Sequence, residues 1–96
     1  IFEDSEGKMN LPLSEVGGGI LLISQFTLYG DMRKGRRPAF VSSAPPELAN
    51  ELYLKVAQGL RERGLFVQTG IFRAEMRVSL VNEGPVTILL DSRKVF

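Results

Sequence analysis

Eleven residues, Ile71 to Val81, constrain the fold of this chain more than any others. In "IFRAEMRVSLV" the residues Phe72, Ala74, Met76, Val78 and Leu80 alternate with Arg73, Glu75, Arg77 and Ser79. Alternation with period two sends successive side chains to opposite faces, so the segment predicts a strand with one buried and one wet face. Such a face needs a cover, and the sequence offers one candidate. Pro45 and Pro46 open a helix, since proline suits the first turn, and Gly64 stops it after Arg61 and Arg63. Between them Leu48, Leu52, Val56 and Leu60 recur every fourth residue and predict one apolar stripe, widened by Tyr53. Gly59 weakens that helix by about 1 kcal/mol relative to alanine.

The remaining segments read as turns and short strands. "EDSEGK" is a turn, "MNLPL" an extended piece broken by Pro12, and "EVGGGI" a second turn. "ILLISQFTLY" reads as a strand whose continuous apolar start, Ile20 to Ile23, predicts burial on both faces. "LFVQTG" and "PVTILLD" read as two more. The expected class is α+β: an antiparallel-rich sheet with one long helix packed on it, in a single domain over residues 1–96. Ile1 and Phe2 read as the end of an apolar element that starts before this sequence does, as at a processed terminus or in a piece of a larger domain.

Composition narrows the chemistry. The chain has neither cysteine nor histidine. Disulfides and thiolate metal sites are excluded, and the usual general base and commonest metal ligand are missing. No metal and no cofactor are expected. The net charge of +1 makes a uniformly polyanion-binding surface untenable, so any nucleic-acid contact must come from local clustering. No apolar stretch reaches transmembrane length and no signal peptide is evident, so a cytoplasmic location without membrane contact is expected.

Three stretches are candidates for function. "SQFTL" sets Ser24, Gln25 and Thr27 around Phe26 at the end of an apolar run. These polar groups read either as strand-end residues bonded to nearby backbone or as ligand contacts. Without histidine, neither hydroxyl has its usual activating partner. "RKGRRP" crowds Arg33, Lys34, Arg36 and Arg37 into five positions, bent by Gly35 and Pro38. It is either a solvated surface or a grip for a phosphate backbone. "NEGPVT" places a Gly-Pro step, Gly84-Pro85, between two strands. X-Pro is where a cis peptide costs least, and a glycine lets backbone approach a ligand closely. An ordinary turn fits the same residues.

Taken in order, "SQFTL", "RKGRRPAF", "PPELA" opening a helix and "GIFRAEMRVSLVNEGPVT" resemble the D-aminoacyl-tRNA deacylases. The family's two signatures, Ser-Gln-x-x-x and Asn-x-x-Pro-x-Thr, stand here as Ser24 to Leu28 and Asn82 to Thr87. "IFEDSEGKMN" is similar to the family's middle segment, while the strands and helix that open family members have no counterpart before Ile1.

The resemblance implies a homodimer that hydrolyses the ester joining a D-amino acid, or mischarged glycine, to the terminal adenosine of tRNA. No DNA partner is implied. By that likeness Gly84-Pro85 is cis and walls the partner's pocket with backbone. A D-residue turns its side chain away from such a wall, an L-residue drives its Cβ substituent into it, and glycine has nothing to clash. Ser24 Oγ and Phe26 N–H would bind the ester carbonyl, with Gln25 beside them, as an oxyanion hole. Thr27 stands where a nucleophile was suspected in relatives; with no base to hand, the implied route is water activated with the help of the substrate's ribose 2′-OH. Asn82 and Thr87 would brace the Gly-Pro loop. Phe72, Ala74 and Met76 would line the adenosine pocket, or equally form sheet core. Arg33, Lys34, Arg36 and Arg37 would meet acceptor-stem phosphates. The rival is a catalytically silent tRNA-binding or dimerisation module, or an editing domain like those attached to tRNA synthetases.

Overall fold

The computed structural model describes residues 1–96. Strands β1 (Phe2–Glu3) and β2 (Met9–Leu11) pair antiparallel across the turn expected at "EDSEGK". Asp4 builds that turn: its Oδ1 accepts from the N–H groups of Glu6 and Lys8, both at 2.9 Å, and its Oδ2 from Asn10 Nδ2 at 3.0 Å. The Lys8 bond, then the Asn10 bond, hold its carboxyl below the ordinary value. Pro12 caps a four-residue helix, α1 (Leu13–Val16), and β3 (Gly19–Leu22) follows. A 3₁₀ turn spans Phe26–Tyr29. The long helix α2 (Pro46–Glu62) leads to β4 (Phe66–Thr69), which lies parallel to β3 with Ile20 opposite Val67 and Leu22 opposite Thr69. Parallel neighbours require a crossover, and α2 supplies it.

The end of α2 follows its sequence signal. Gly64 adopts φ 78°, and the N–H groups of Gly64 and Leu65 reach back to the carbonyls of Arg61 (2.9 Å) and Leu60 (3.3 Å). This is a Schellman closure, which only a residue tolerant of positive φ completes without strain.

Four expectations need correction. The strand that starts at Ile20 stops at Leu22 and gives way to the 3₁₀ turn. The sheet is not one antiparallel-rich layer but two separate pairs, one antiparallel and one parallel. Ile20 to Ile23 are not buried on both faces: Leu21 is 58% exposed and the other three are half-buried. Finally, neither 71–81 nor 85–91 forms a strand, and residues 75–90 make no backbone–backbone hydrogen bond. Alternation states which face a strand would bury; it does not supply the neighbour that makes the ladder, and no other strand of this chain runs beside these residues.

The helix docks on a face rotated from the expected stripe. Ala57 (1% exposed) and Val67 (6%) are the only buried residues, so the core sits where α2 meets β4. Ala49, Tyr53, Ala57 and Leu60 turn toward the sheet side. Leu48, Leu52 and Val56, at the successive 100° step of the helix, remain about half exposed. A small residue at position 57 lets the backbones approach, and this overrides the wider leucine stripe. The accessible surface is 8789 Å², against about 5,500 Å² for a compact monomer of this mass. The radius of gyration is 16.0 Å, where about 12.5 Å is usual.

Candidate active site

The segment after β3 brings Ser24 and Gln25 of "SQFTL" into the lining of an apolar cavity of about 790 Å³. Ser24, Gln25 and Phe26 line it, together with Phe72, Ala74 and Met76. Tyr53 and Ala49 of α2 form part of the wall, with the Tyr53 and Phe72 rings 6.0 Å apart at 33°. Met76 reaches its place because Gly70 has no side chain: a Cβ there would lie 2.5 Å from Met76 Sδ and 3.1 Å from Ile23 Cδ1. The volume falls in the range of small-ligand sites, and a mostly apolar lining with a few polar residues, Ser24, Gln25 and Arg73 among them, suits such a site.

Thr27 does not line the cavity. Its hydroxyl accepts a hydrogen bond from Gln25 Nε2 and has no basic side chain as partner. A hydroxyl so placed has nothing to take its proton. Phe26 N–H, at the start of the 3₁₀ turn, has no partner within the turn and takes none elsewhere in the chain. Its ring packs edge-on against Phe40, centroids 5.0 Å apart, and its carbonyl accepts from Ser43 Oγ at 3.2 Å.

Those two contacts pin the basic loop to the turn. Asp31 and Ala39 exchange two 2.9 Å backbone bonds that close the loop. Inside it Asp31 grips Arg33 in a fork: Nε donates to Oδ1 at 2.9 Å and Nη2 to Oδ2 at 2.6 Å. Arg33 is therefore committed to the loop's own shape. Lys34, Arg36 and Arg37 are exposed and make no ion pair or side-chain hydrogen bond.

The side-chain bond from Arg33 pulls the Asp31 carboxyl down to about 2. A folded-state value below the unfolded one means that this contribution to loop closure is complete above about pH 4 and fades as pH falls toward 2. An NMR titration of Asp31 is expected to show a midpoint near 2, rising toward the ordinary carboxylate range in Arg33→Ala, where the bond from the backbone N–H of residue 33 (3.0 Å) remains. An unchanged midpoint in that variant would remove the fork.

Gly84-Pro85 is a cis peptide. Neither residue lines the cavity of its own chain, nor do Asn82 and Thr87. Sequence reasoning misses Tyr29, Tyr53 and Arg73 as lining residues. In the sequence Tyr53 only widens the helix stripe, and Arg73 belongs to a wet strand face; Arg73 lies instead in a turn at φ 64°. No cluster of three or more acidic, histidine or cysteine residues is placed to hold a metal. No helix is long and apolar enough to cross a membrane.

A family model described as D-Tyr-tRNA(Tyr) deacylase matches residues 1–91. The chain belongs to that family. Among curated proteins it is similar to the D-aminoacyl-tRNA deacylases of Anaeromyxobacter dehalogenans (66% identical), Desulfitobacterium hafniense (59%) and Thermotoga petrophila (58%). Each comparison covers the whole of this chain and 64% of the relative's length.

Proposed function

We propose that this chain belongs to the catalytic unit of an enzyme that hydrolyses D-aminoacyl-tRNA, releasing free D-amino acid and tRNA in the cytoplasm. The observation that carries this reading is the meeting of Ser24, Gln25 and Phe26 with Phe72, Ala74 and Met76 in one cavity. A terminal adenosine stacks on the aromatic and thioether wall, and the ester carbonyl reaches the polar residues. There Ser24 Oγ and Phe26 N–H receive the negative charge that develops on the carbonyl oxygen as water adds. The bond to the ribose oxygen then breaks, and that oxygen takes a proton. The family likeness assigns help in activating the water to the ribose 2′-OH of the substrate, and the lack of histidine in this chain is compatible with that route.

Chiral selection is assigned to Gly84-Pro85 acting across a homodimer, braced by Asn82 and Thr87. Its placement outside its own chain's cavity favours delivery to a partner's. Backbone at that wall excludes L-residues whatever their side chain and admits glycine. Purified protein is expected to deacylate D-tyrosyl-tRNA and glycyl-tRNA while leaving L-tyrosyl-tRNA intact. Equal hydrolysis of both tyrosyl enantiomers would remove the filter.

The basic loop is assigned to acceptor-stem phosphates, with Lys34, Arg36 and Arg37 reaching them and Arg33 as the brace that shapes the loop. Replacing Lys34, Arg36 and Arg37 with alanine is expected to weaken tRNA binding and to flatten its dependence on salt, by about one slope unit for each phosphate no longer neutralised. An unchanged slope across a salt series would make the loop a solvated surface.

A second reading, a silent tRNA-binding or dimerisation module, is favoured by the open surface around a core of two buried residues. It predicts tRNA binding without release of any amino acid.

A further inference from the structure

The carbonyl of Leu22 is the last paired position of β3 before the turn that carries Ser24 and Phe26. It accepts two hydrogen bonds. One comes from Gly70 N–H at the end of β4 (3.2 Å), the other from Tyr53 Oη in the middle of α2 (3.0 Å). Helix, both parallel strands and the polar turn are thus joined at one oxygen.

This is the only side-chain hydrogen bond between α2 and β3. The other polar tie of α2 to the sheet, from Arg61 Nη2 to Val67 O at 3.0 Å, goes to β4. The Tyr53 ring also faces Phe72 across the cavity wall. One residue therefore touches both the strand that leads into Ser24 and Phe26 and the ring of Phe72.

We propose that Tyr53 is a positioning residue for the ester hydrolysis. Its hydroxyl fixes Ser24 and Phe26 N–H at the distance from the Phe72 ring that the adenosine–ester span demands. This rests on the reading of the cavity given above. Displacement of about 1 Å at a reacting centre is enough to cost on the order of 100-fold in rate. Tyr53→Phe is a clean test, because Leu22 O keeps its bond from Gly70 and the strands stay paired.

In Tyr53→Phe, kcat for D-tyrosyl-tRNA is expected to fall by about tenfold or more with KM changed by less than about twofold, a loss confined to the transition state. Amide exchange at Gly30, whose N–H closes the turn onto Thr27 O (3.0 Å), and at Gly70, bonded to Leu22 O, is expected to quicken by about tenfold while α2 amides keep their protection. Tyr53→Leu, which removes the ring as well, raises KM in addition. Wild-type kcat and wild-type exchange in Tyr53→Phe overturn the proposal. So does a uniform rise in exchange over the whole chain, which marks plain destabilisation. If the unsubstituted protein releases no amino acid, the hydrolytic reading fails, and the proposal as a catalytic one fails with it; local exchange then reports only whether the tether holds the turn.

Discussion

Ser24→Ala is expected to lower kcat for D-aminoacyl-tRNA by about 100- to 1,000-fold, the usual loss when one donor to a developing oxyanion is removed. Thr27→Ala is expected to keep most of the activity. The contrast follows from placement. Ser24 lines the cavity, while Thr27 lies off it with its hydroxyl turned to Gln25. Steady-state and single-turnover kinetics on both variants, with circular dichroism to confirm an intact fold, decide the matter. A loss on the order of 1,000-fold in Thr27→Ala would restore a covalent route through that hydroxyl, since removing a nucleophile abolishes the step it performs. Gln25→Ala distinguishes the two further. If Gln25 serves chiefly to hold Thr27, its loss should cost little more than Thr27→Ala.

The helix and the turn chemistry are legible in the sequence because their causes are local. Pro45-Pro46 and Gly64 bracket α2 within a residue or so, and Phe66–Thr69 forms where "LFVQTG" suggests a strand. The direction of the sheets is not legible. Alternation at 71–81 says nothing about which strand lies alongside, and parallel pairing of β3 with β4 depends on the α2 crossover returning to the same edge. The docking face of α2 escapes the sequence for a related reason. Spacing by fours finds an apolar stripe, but the contact is set by how closely a small residue lets the backbones approach, and Ala57 ranks below leucine in any hydrophobic count.

The site is legible as composition and not as geometry. "SQFTL" and "FRAEM" stand about fifty residues apart, and only the fold brings Ser24 and Met76 to one cavity. The commitment of Arg33 to Asp31 has a weak signal: an acid two residues before an arginine in a tight loop. Tyr53 has none, because its partner is a backbone carbonyl 31 residues away.

The largest remaining effect concerns association. This chain exposes roughly 3,300 Å² more surface than a compact monomer of its mass would. Leu80, Val81, Leu89 and Leu90 are 73%, 92%, 66% and 89% exposed, and they flank the Gly84-Pro85 loop. Covering the apolar part of this surface is favourable, at about 25 cal/mol per Å² of apolar area, and works against the entropic cost of bringing two chains together. Light scattering is therefore expected to give a species larger than one chain, with the Gly84-Pro85 loop inside the contact. The decisive experiment mixes Ser24→Ala, which loses a donor to the carbonyl, with Gly84→Ala. In the second the added Cβ would lie 2.5 Å from Val86 N and so displace the loop that walls the pocket. Each alone is expected to disable its pocket. If each pocket takes Ser24 from one chain and Gly84 from the other, the mixed dimer places both lesions on one pocket and leaves the other sound. Random mixing should then restore about a quarter of the unsubstituted activity, since half the dimers are mixed and each has one working site. If both residues act within one chain, every pocket in the mixed dimer carries a lesion and no activity returns. Recovery therefore reports shared pockets directly.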